Sequence, residues 1–258
     1  MIGMSQFSLD GKVGIVTGAS RGLGKGIALG FAEAGADVVV VSRNLSDVEL
    51  VKEQIEKIGR RGLALEVDVS KAKDIGLMVD KCIEKFGKVD ILVNNAGIGA
   101  RSALVDVKEE DFDRIMNINL KGAFFCAQRV AKEMIKRGGG RIINIASVGG
   151  EIAFPERGIY RSLKAALIHL TKTMALEWVQ HGINVNAIGP GYFSTPATQY
   201  MKETRKKEYE YTVNRIPMKR WGDPEKEIGG VAVFLASDAS TYLTGQTIFV
   251  DGGLLIKQ

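Results

Sequence analysis

Apolar residues occur in short, nearly continuous runs that alternate with longer stretches of mixed character along the whole chain. The short runs are rich in Val and Ile, as in strands that are buried on both faces of a parallel sheet. The predicted strands are Val13–Thr17, Val38–Ser42, Ala64–Val67, Ile91–Asn94, Arg141–Ala146, Ile183–Ile188 and Thr247–Val250.

The longer stretches have helical periodicity, and several stop at a glycine, a common helix terminator. The predicted helices are Leu23–Ala34, Asp47–Ile58, Ala72–Phe86, Glu109–Arg137, Ile159–Gln180 and Glu225–Ala236. Regular alternation of strand and helix predicts an α/β fold. We expect a single Rossmann-type doubly wound domain over residues 1–258, with a seven-stranded parallel sheet flanked by helices.

One polar, charged and aromatic segment, residues 191–222, interrupts this alternation. Insertions of this kind often serve as lids or binding loops, so we expect it to cover a substrate. Its candidate contact residues are Tyr192, Phe193, Tyr200, Tyr209, Tyr211, Trp221, Lys202, Arg205, Lys206, Lys207 and Arg215. Further candidates at the rim of a site are Arg101, Glu151, Arg157 and His181. The alternative is an amphipathic surface helix with solvated charges.

The first predicted strand runs directly into a glycine-rich turn and then a helix. Glycines allow a tight turn and close approach to a pyrophosphate, and the helix N-terminus presents N–H groups to it. The turn residues are Thr17, Gly18, Ala19, Ser20, Arg21, Gly22, Leu23 and Gly24. The spacing GxxxGxG in this strand–turn–helix context predicts a dinucleotide site.

The end of the second strand should indicate which dinucleotide is bound, because a carboxylate there would hold the 2′-hydroxyl of NAD. The chain instead has Ser42, Arg43 and Asn44. The guanidinium of Arg43 can pair with a 2′-phosphate, and Arg21 is a second candidate. NADP(H) is therefore favoured over NAD(H), unless Arg43 is only a solvated loop residue.

Tyr160 and Lys164 lie four positions apart near the start of a predicted helix, and therefore on one face of it. A tyrosine with an ordinary pKa near 10 is a poor acid/base catalyst at neutral pH. An adjacent ammonium and a positive nicotinamide could lower its pKa. Ser147 follows the fifth strand, at the sheet edge where ligands bind.

In these residues the chain resembles the short-chain dehydrogenase/reductase family, and the match runs over essentially the whole length. The matching positions are Thr17 to Gly24, Asp68, Asn94-Asn95-Ala96-Gly97, Asn119, Ser147, Tyr160, Lys164, Pro190-Gly191, Thr195 and Asp251-Gly252-Gly253. One departure is Leu163, where the family usually has Ser immediately before the Lys. The change removes a hydroxyl that can contact the cofactor side. Because Tyr160 and Lys164 are intact, we expect it to alter details of the activity rather than to abolish it.

The resemblance implies a role for each matching position. Tyr160 would exchange a proton with the substrate oxygen, Lys164 would hold the nicotinamide ribose, and Ser147 would bind the carbonyl. Asn119 would keep a water that links Lys164 to solvent. The implied cofactor contacts beyond the glycine turn are Asp68, Val69, Asn95, Ala96, Gly97, Tyr160, Lys164, Pro190, Gly191 and Thr195.

Within the family, the chain looks most like the gluconate 5-dehydrogenases and 2-deoxy-gluconate 3-dehydrogenases. The stretches that carry this likeness are residues 42–44, 184–192 and 216–222. The 3-oxoacyl-carrier-protein reductases and glucose 1-dehydrogenases differ little in these motifs and stay as alternatives. A distant alternative is a non-catalytic NADP-binding sensor. Family members are usually homotetramers that pair their two long helices, and the apolar tail at 245–256 is compatible with that.

Composition indicates which kinds of ligand and surroundings to expect for this chain. The formal net charge is +5 and is spread along the chain, so nucleic acid is not expected, whereas an anionic cofactor or substrate is compatible. Cys82 and Cys126 are far apart and His169 and His181 are isolated, so we expect buried thiols and no metal site. No apolar run is long enough for a membrane span and the first residues lack the apolar core of a signal peptide, so the cytoplasm is expected.

Overall fold

The computed structural model describes residues 4–99 and 101–257, and seven strands in this part form one parallel sheet. The strands are β1 (Val13–Thr17), β2 (Asp37–Ser42), β3 (Gly62–Glu66), β4 (Ile91–Asn94), β5 (Gly140–Ile145), β6 (Ile183–Pro190) and β7 (Thr247–Val250). Their order across the sheet is β3-β2-β1-β4-β5-β6-β7. The predicted doubly wound α/β fold is confirmed.

Nine α-helices connect or follow these strands in the described part of the chain. They are α1 (Gly22–Glu33), α2 (Leu45–Lys57), α3 (Ala72–Phe86), α4 (Glu109–Met116), α5 (Ala123–Arg137), α6 (Gly158–Trp178), α7 (Pro196–Thr204), α8 (Lys206–Arg215) and α9 (Gly229–Ala236). None of the helices within residues 4–99 and 101–257 combines the length and apolar character needed to cross a membrane.

Three strands begin earlier than hydrophobicity predicted. β2 begins at Asp37 and β3 at Gly62, because backbone pairing such as Val38 with Gly62 continues past the apolar run. Hydrogen bonding between neighbouring strands defines a strand end, and a polar residue or glycine can take part in it. The apolar pattern therefore identified every strand but not the first residue of these three.

The sheet is covered on both faces by apolar layers. Ile27 and Phe31 of α1 and Val48 of α2 are fully buried on one face, where α9 also packs. Met78 of α3 and Met134 of α5 are fully buried on the other face. Burying side chains of this size stabilises the fold by about 1.5–3 kcal/mol each. This two-sided core holds the carboxyl ends of the strands in place at one edge.

The predicted helix over Glu109–Arg137 is interrupted in the structure. A wide π turn over Asn117–Gly122 separates α4 from α5. Apolar periodicity alone does not reveal a turn of this kind, because the helical hydrogen bonding continues through it with one extra residue. Gly122 packs closely in the turn, since a Cβ on it would lie 2.8 Å from the Val69 carbonyl oxygen.

Residues 191–222 form two short helices, α7 and α8, and an aromatic cluster rather than a single surface helix. The Trp221 ring stacks on Tyr192 with centroids 5.7 Å apart and meets the Tyr209 ring edge-on at 4.7 Å. The Trp221 indole N–H donates to Thr212 Oγ1 at 3.0 Å. The cluster packs against Val148, directly after Ser147. The insertion thus lies beside the end of β5.

Candidate active site

A cleft of about 530 Å³ opens at the carboxyl ends of the first strands. The predicted residues that line it are Gly18, Ser20, Arg21, Gly22, Leu23, Ser42, Arg43, Asn44, Asp68, Val69, Asn95, Ala96, Gly97, Tyr160 and Thr195. Lining residues that the sequence reasoning missed are Val41, Asp47, Val67, Ile98, Ile118 and Pro196. All but Asp47 directly adjoin a predicted residue in the chain, and Asp47 lies in the first turn of α2, three residues after Asn44.

The glycine turn is built as its spacing predicted. Gly18 has a φ of +64°, a region that favours glycine, and a Cβ there would lie 2.8 Å from the Ala96 Cα. Gly24 does not line the cleft. A Cβ on Gly24 would lie 2.4 Å from the Gly18 carbonyl oxygen, so its role is to let α1 start close beneath the turn.

Asn95 holds this turn against β4. Its side-chain NH₂ donates to the carbonyl oxygens of Thr17 at 2.9 Å and Gly18 at 3.0 Å. The Thr17 hydroxyl in turn accepts from the backbone N–H groups of Asn95 and Ala96, both at 3.0 Å. Asn95 was predicted to face the cofactor ribose; it lines the cleft, but its amide hydrogens are directed to the turn.

The end of the cleft near β2 and β3 combines opposite charges. Arg21 and Arg43 line it together with Asp47 and Asp68. Burial acts to raise the pKa of Asp68, but hydrogen bonds from Ser70 and the charges of Lys71 and Arg43 lower it overall. Arg43 is thus close enough to influence Asp68. The positive charge of Arg43 and Arg21 suits a phosphate at this end.

Ser147, Tyr160 and Lys164 converge beside the cleft. Ser147 follows β5, and its hydroxyl accepts from the Gly149 N–H at 2.9 Å. Tyr160, in the first turn of α6, lines the cleft. Lys164 lies one turn further on, is 5% exposed, and places its Nζ 5.7 Å from the centre of the Tyr160 ring. The spacing of four residues therefore produces the shared face that the sequence predicted.

The ionisation of this group differs from the sequence expectation. Burial raises the pKa of Tyr160, and Ser147, Arg157 and Arg161 only partly counteract it. Burial also lowers the pKa of Lys164 to about 8. The Lys164 ammonium donates to the Ile145 carbonyl oxygen at 2.6 Å. In the protein without cofactor, burial therefore outweighs the groups that lower the pKa of Tyr160.

Asn119 lies in the π turn between α4 and α5. Its side-chain oxygen accepts from the Ile98 N–H and its NH₂ donates to the Ile98 carbonyl, both at 2.8 Å. The side chain thus pins the loop after β4 to the turn. The amide uses one of its two N–H donors and one of its two acceptor positions in these bonds, so one donor and one acceptor position stay available.

Besides Gly24, three predicted cofactor residues do not line the cleft, for identifiable reasons. Lys164 lies behind Tyr160. Pro190 ends β6, and the Gly191 N–H donates to the Val250 carbonyl at 2.9 Å, so both belong to the pairing of β6 with β7. Thr195, by contrast, lines the cleft and caps α7, and a Cβ on Gly22 would lie 3.2 Å from its methyl group.

The cysteines lie away from this site, in the core. Burial raises the pKa of Cys82 to about 12, with a smaller effect of Asp90. Burial alone raises the pKa of Cys126 to about 12. Both are free thiols, as predicted, and are unreactive at neutral pH. Among the described residues, no three His, Cys, Asp or Glu side chains are placed to hold a metal ion.

Comparison with known proteins agrees with this geometry. Residues 18–255 match a family model described as Enoyl-(Acyl carrier protein) reductase. The chain is 45% identical to the 2-dehydro-3-deoxy-D-gluconate 5-dehydrogenase of Dickeya dadantii, over 98% of this chain and 99% of that one. It is 41% identical to the 3-oxoacyl-acyl-carrier-protein reductase of Thermotoga maritima, over 96% of this chain and 99% of that one.

A solved structure shares the fold. The gluconate 5-dehydrogenase of Burkholderia cenocepacia J2315, in complex with NADP and tartrate, superposes with a TM-score of 0.93 at 39% identity, covering 98% of each chain. Relatives of this identity and coverage, together with the family model, establish the family of the chain. The chain therefore belongs to the short-chain dehydrogenase/reductase family of oxidoreductases.

Proposed function

We propose that this oxidoreductase uses NADP(H) to interconvert a secondary alcohol and a ketone of a sugar acid, with Tyr160 as the general acid/base. One observation carries the proposal: Tyr160 lines the glycine-turn cleft while Ser147 and Lys164 flank it. A reacting carbon placed there would meet a cofactor and a proton donor together.

The cleft fits a dinucleotide. The turn closes so tightly at Gly18 and Gly24 that side chains are excluded, and the N-terminus of α1 opens into the cleft. Arg21 and Arg43 would hold the 2′-phosphate, with Asp68 and Val69 near the adenine. The other contacts proposed from the family pattern are Ser20, Gly22, Leu23, Ser42, Asn44, Asn95, Ala96, Gly97, Pro190, Gly191 and Thr195. When bound, the nicotinamide supplies or accepts the hydride.

Three side chains would act on the substrate oxygen and its proton. In reduction, Tyr160 gives its proton to the carbonyl oxygen, and the Ser147 hydroxyl donates a hydrogen bond to the same oxygen. Lys164 would hold the nicotinamide ribose. For that contact its ammonium must share or leave the Ile145 carbonyl. Asn119 would keep a water that links Lys164 to solvent as a proton relay.

The raised pKa of Tyr160 keeps its phenol protonated in the protein without cofactor, which prepares it for reduction rather than oxidation. A neutral phenol is ready to protonate a ketone, so reduction needs no prior ionisation. Oxidation needs the phenolate, and we propose that the positive charge of the oxidised nicotinamide, with Lys164, lowers the pKa enough to form it. Oxidation should therefore gain from rising pH, and reduction should not.

The sugar-acid assignment is supported by two relatives. The Dickeya protein is a 2-dehydro-3-deoxy-D-gluconate 5-dehydrogenase, and the Burkholderia structure is a gluconate 5-dehydrogenase with NADP and tartrate. The Thermotoga relative favours a second candidate, a 3-oxoacyl thioester. Residues 191–222, which pack beside Ser147 through Val148, would cover either substrate.

We further propose a cytoplasmic homotetramer. β7 is the last strand of the sheet, so its outer edge has no partner strand in the described part of the chain. Tyr242 and Ile256 nearby are largely exposed. A mass about four times that of the chain by light scattering would support the assembly, and a monomer would count against it.

A substrate panel with both cofactors tests the proposed function. NADPH oxidation at 340 nm is measured with 5-keto-D-gluconate, acetoacetyl thioesters and simple ketones, and NADP⁺ reduction with D-gluconate and glucose. We expect the highest kcat/KM with a sugar acid and NADP(H). Highest activity on the thioester would support the second candidate. NADPH binding without turnover of any substrate would support a sensor.

A further inference from the structure

Arg157 and Arg161 lie near Tyr160 outside the cofactor cleft, and Arg215 lies near Arg161. Arg157 precedes the first residue of α6, Arg161 directly follows Tyr160, and Arg215 ends α8. Within residues 4–99 and 101–257 none of the three forms an ion pair with a carboxylate, although other arginines nearby do. The sequence analysis named Arg157 and Arg215 but not Arg161.

The Arg161 side chain extends from α6 next to the hydroxyl of Ser147, which is predicted to bind the substrate. A Cβ built on Gly149 would lie 3.1 Å from Arg161 Cγ and 3.2 Å from Ser147 Oγ. The side chain therefore passes next to Ser147 on its way out of α6. Its guanidinium then lies 5.3 Å from the centre of the Phe154 ring and donates through Nη1 to the Ile152 carbonyl.

The charge around Arg161 is unusual for a half-buried cation. Burial lowers the pKa of Arg161, Tyr192 and Tyr160 act to raise it, and Arg157 and Arg215 lower it further. The guanidinium stays charged, because the pKa of arginine is far above neutrality. Its neighbours in the described part of the chain are thus two phenols and two further cations rather than an acid.

The Arg161 guanidinium lacks a counterion and uses few of its hydrogen-bond donors in the described part of the chain. A guanidinium has five N–H donors in a planar fork, and Arg161 uses one of them on Ile152. A half-buried charge without a counterion is unfavourable, whereas a carboxylate would accept two parallel hydrogen bonds from the fork. Arg101 cannot serve in the same way, since Glu156 and Glu208 already bind it.

We propose that Arg161, assisted by Arg157, binds the carboxylate of the substrate and makes the enzyme selective for acids over the corresponding neutral polyols. Arg157 can contribute because a Cβ on Gly99, in the loop after β4, would lie 3.5 Å from its Nη1. Arg157 thus reaches the loop after β4, while the aliphatic part of Arg161 passes Ser147. This inference rests on the proposed function, since it names the group that identifies a sugar acid.

The test compares D-gluconate with D-glucitol, which differ in a carboxylate against a hydroxymethyl group. The ratio of their kcat/KM values with NADP⁺ is measured for the wild type, Arg161→Gln and Arg161→Lys. We expect Arg161→Gln to lower the ratio roughly 10- to 100-fold, mainly through KM for gluconate. Arg161→Lys keeps the charge and should lose less. Arg137→Gln, at the far edge of the sheet, is the matched control and should change nothing.

A purely structural role would give a different result. If Arg161 only steadies Phe154 and the Ile152 carbonyl, Arg161→Gln would lower both activities together and leave the ratio intact, which overturns the inference. Binding of tartrate to the NADP-loaded protein is a second measurement, expected to weaken in Arg161→Gln. A wild type that neither oxidises gluconate nor binds tartrate would overturn the inference, while turnover of any other ketone or alcohol would still uphold oxidoreductase catalysis by Tyr160.

Discussion

The ammonium of Lys164 donates to the main-chain oxygen of Ile145 at 2.6 Å, in a site where the side chain is 5% exposed. This bond anchors the base of α6 to the last residue of β5. It also keeps a positive charge where burial opposes it, and the pKa of Lys164 falls to about 8 as a result. A residue that we propose acts in catalysis is thereby held at a cost to stability.

Replacing this lysine should make the fold more stable and the enzyme inactive. At pH 7 the folded protein carries a buried charge that Lys164→Met removes, while the lost bond to Ile145 opposes part of the gain. We expect a net increase of about 1–2 kcal/mol in the free energy of unfolding. Urea unfolding at fixed protein concentration measures it, with Lys172→Met, exposed on the same helix, as the control.

The gain should depend on pH in a defined direction. With a folded pKa of about 8, below the ordinary 10.5, the folded wild type releases the Lys164 proton before the unfolded chain does. The stability of the wild type therefore rises between these two values, and its difference from Lys164→Met should shrink from pH 8 to pH 10. A difference that is constant with pH would contradict the buried-charge explanation.

Tyr160→Phe should abolish turnover without preventing the binding of NADPH in the cleft. The phenol oxygen is the proposed proton donor, and loss of a general acid costs about 10²–10⁴ in kcat. The ring remains to line the cleft, so the Kd for NADPH, measured by fluorescence, should stay within a few-fold of the wild type. Tyr242→Phe, which removes a fully exposed hydroxyl, is the control. Substantial turnover in Tyr160→Phe would refute the acid/base role.

Arg43→Ala should weaken the preference for NADPH over NADH. The 2′-phosphate would lose a charge-assisted hydrogen bond, which corresponds to a roughly 10- to 100-fold lower ratio of kcat/KM values. The double variant with Arg21→Ala should lower it further, and Arg137→Gln should leave it unchanged. A wild type that prefers NADH, or an unaltered ratio in Arg43→Ala, would show that these arginines do not recognise the 2′-phosphate of NADPH.

Glu208→Gln should loosen residues 191–222, the segment that we propose covers the site. Arg101 bridges Glu156, before α6, at 2.5 Å and Glu208, on α8, at 3.1 Å. These side chains are 31–46% exposed, so the pair is worth only about 0.2–1 kcal/mol. We expect a two- to fivefold higher KM for the substrate, with kcat and NADPH binding unchanged.

The dependence of KM on salt concentration tests whether the Arg101–Glu208 ion pair has this role. The wild type should approach the variant at high ionic strength, because exposed ion pairs are screened. Glu210→Gln, on the same helix, is the control and should behave as the wild type. An unchanged KM in Glu208→Gln at low salt would show that the bridge does not hold α8 over the site.

Local properties of the chain were sufficient for the fold and for much of the site. Runs such as Val38–Val41 are apolar because both faces of the strand are buried, and that condition is visible in the residues themselves. The turn from Gly18 to Gly24 and the spacing of Tyr160 and Lys164 are equally local. Backbone freedom and helical repeat act within a few residues, so these features could be predicted.

Contacts between distant segments could not be predicted in this way. The Asn119 amide pairs with Ile98, Lys164 turns to Ile145, and Arg161 passes Ser147 across Gly149. Each depends on how loops and helices pack after the sheet has formed, where burial and competing hydrogen-bond partners set the direction of a side chain. Residue types and their order therefore specify the family and its chemistry, whereas packing specifies how each charge is oriented and partnered.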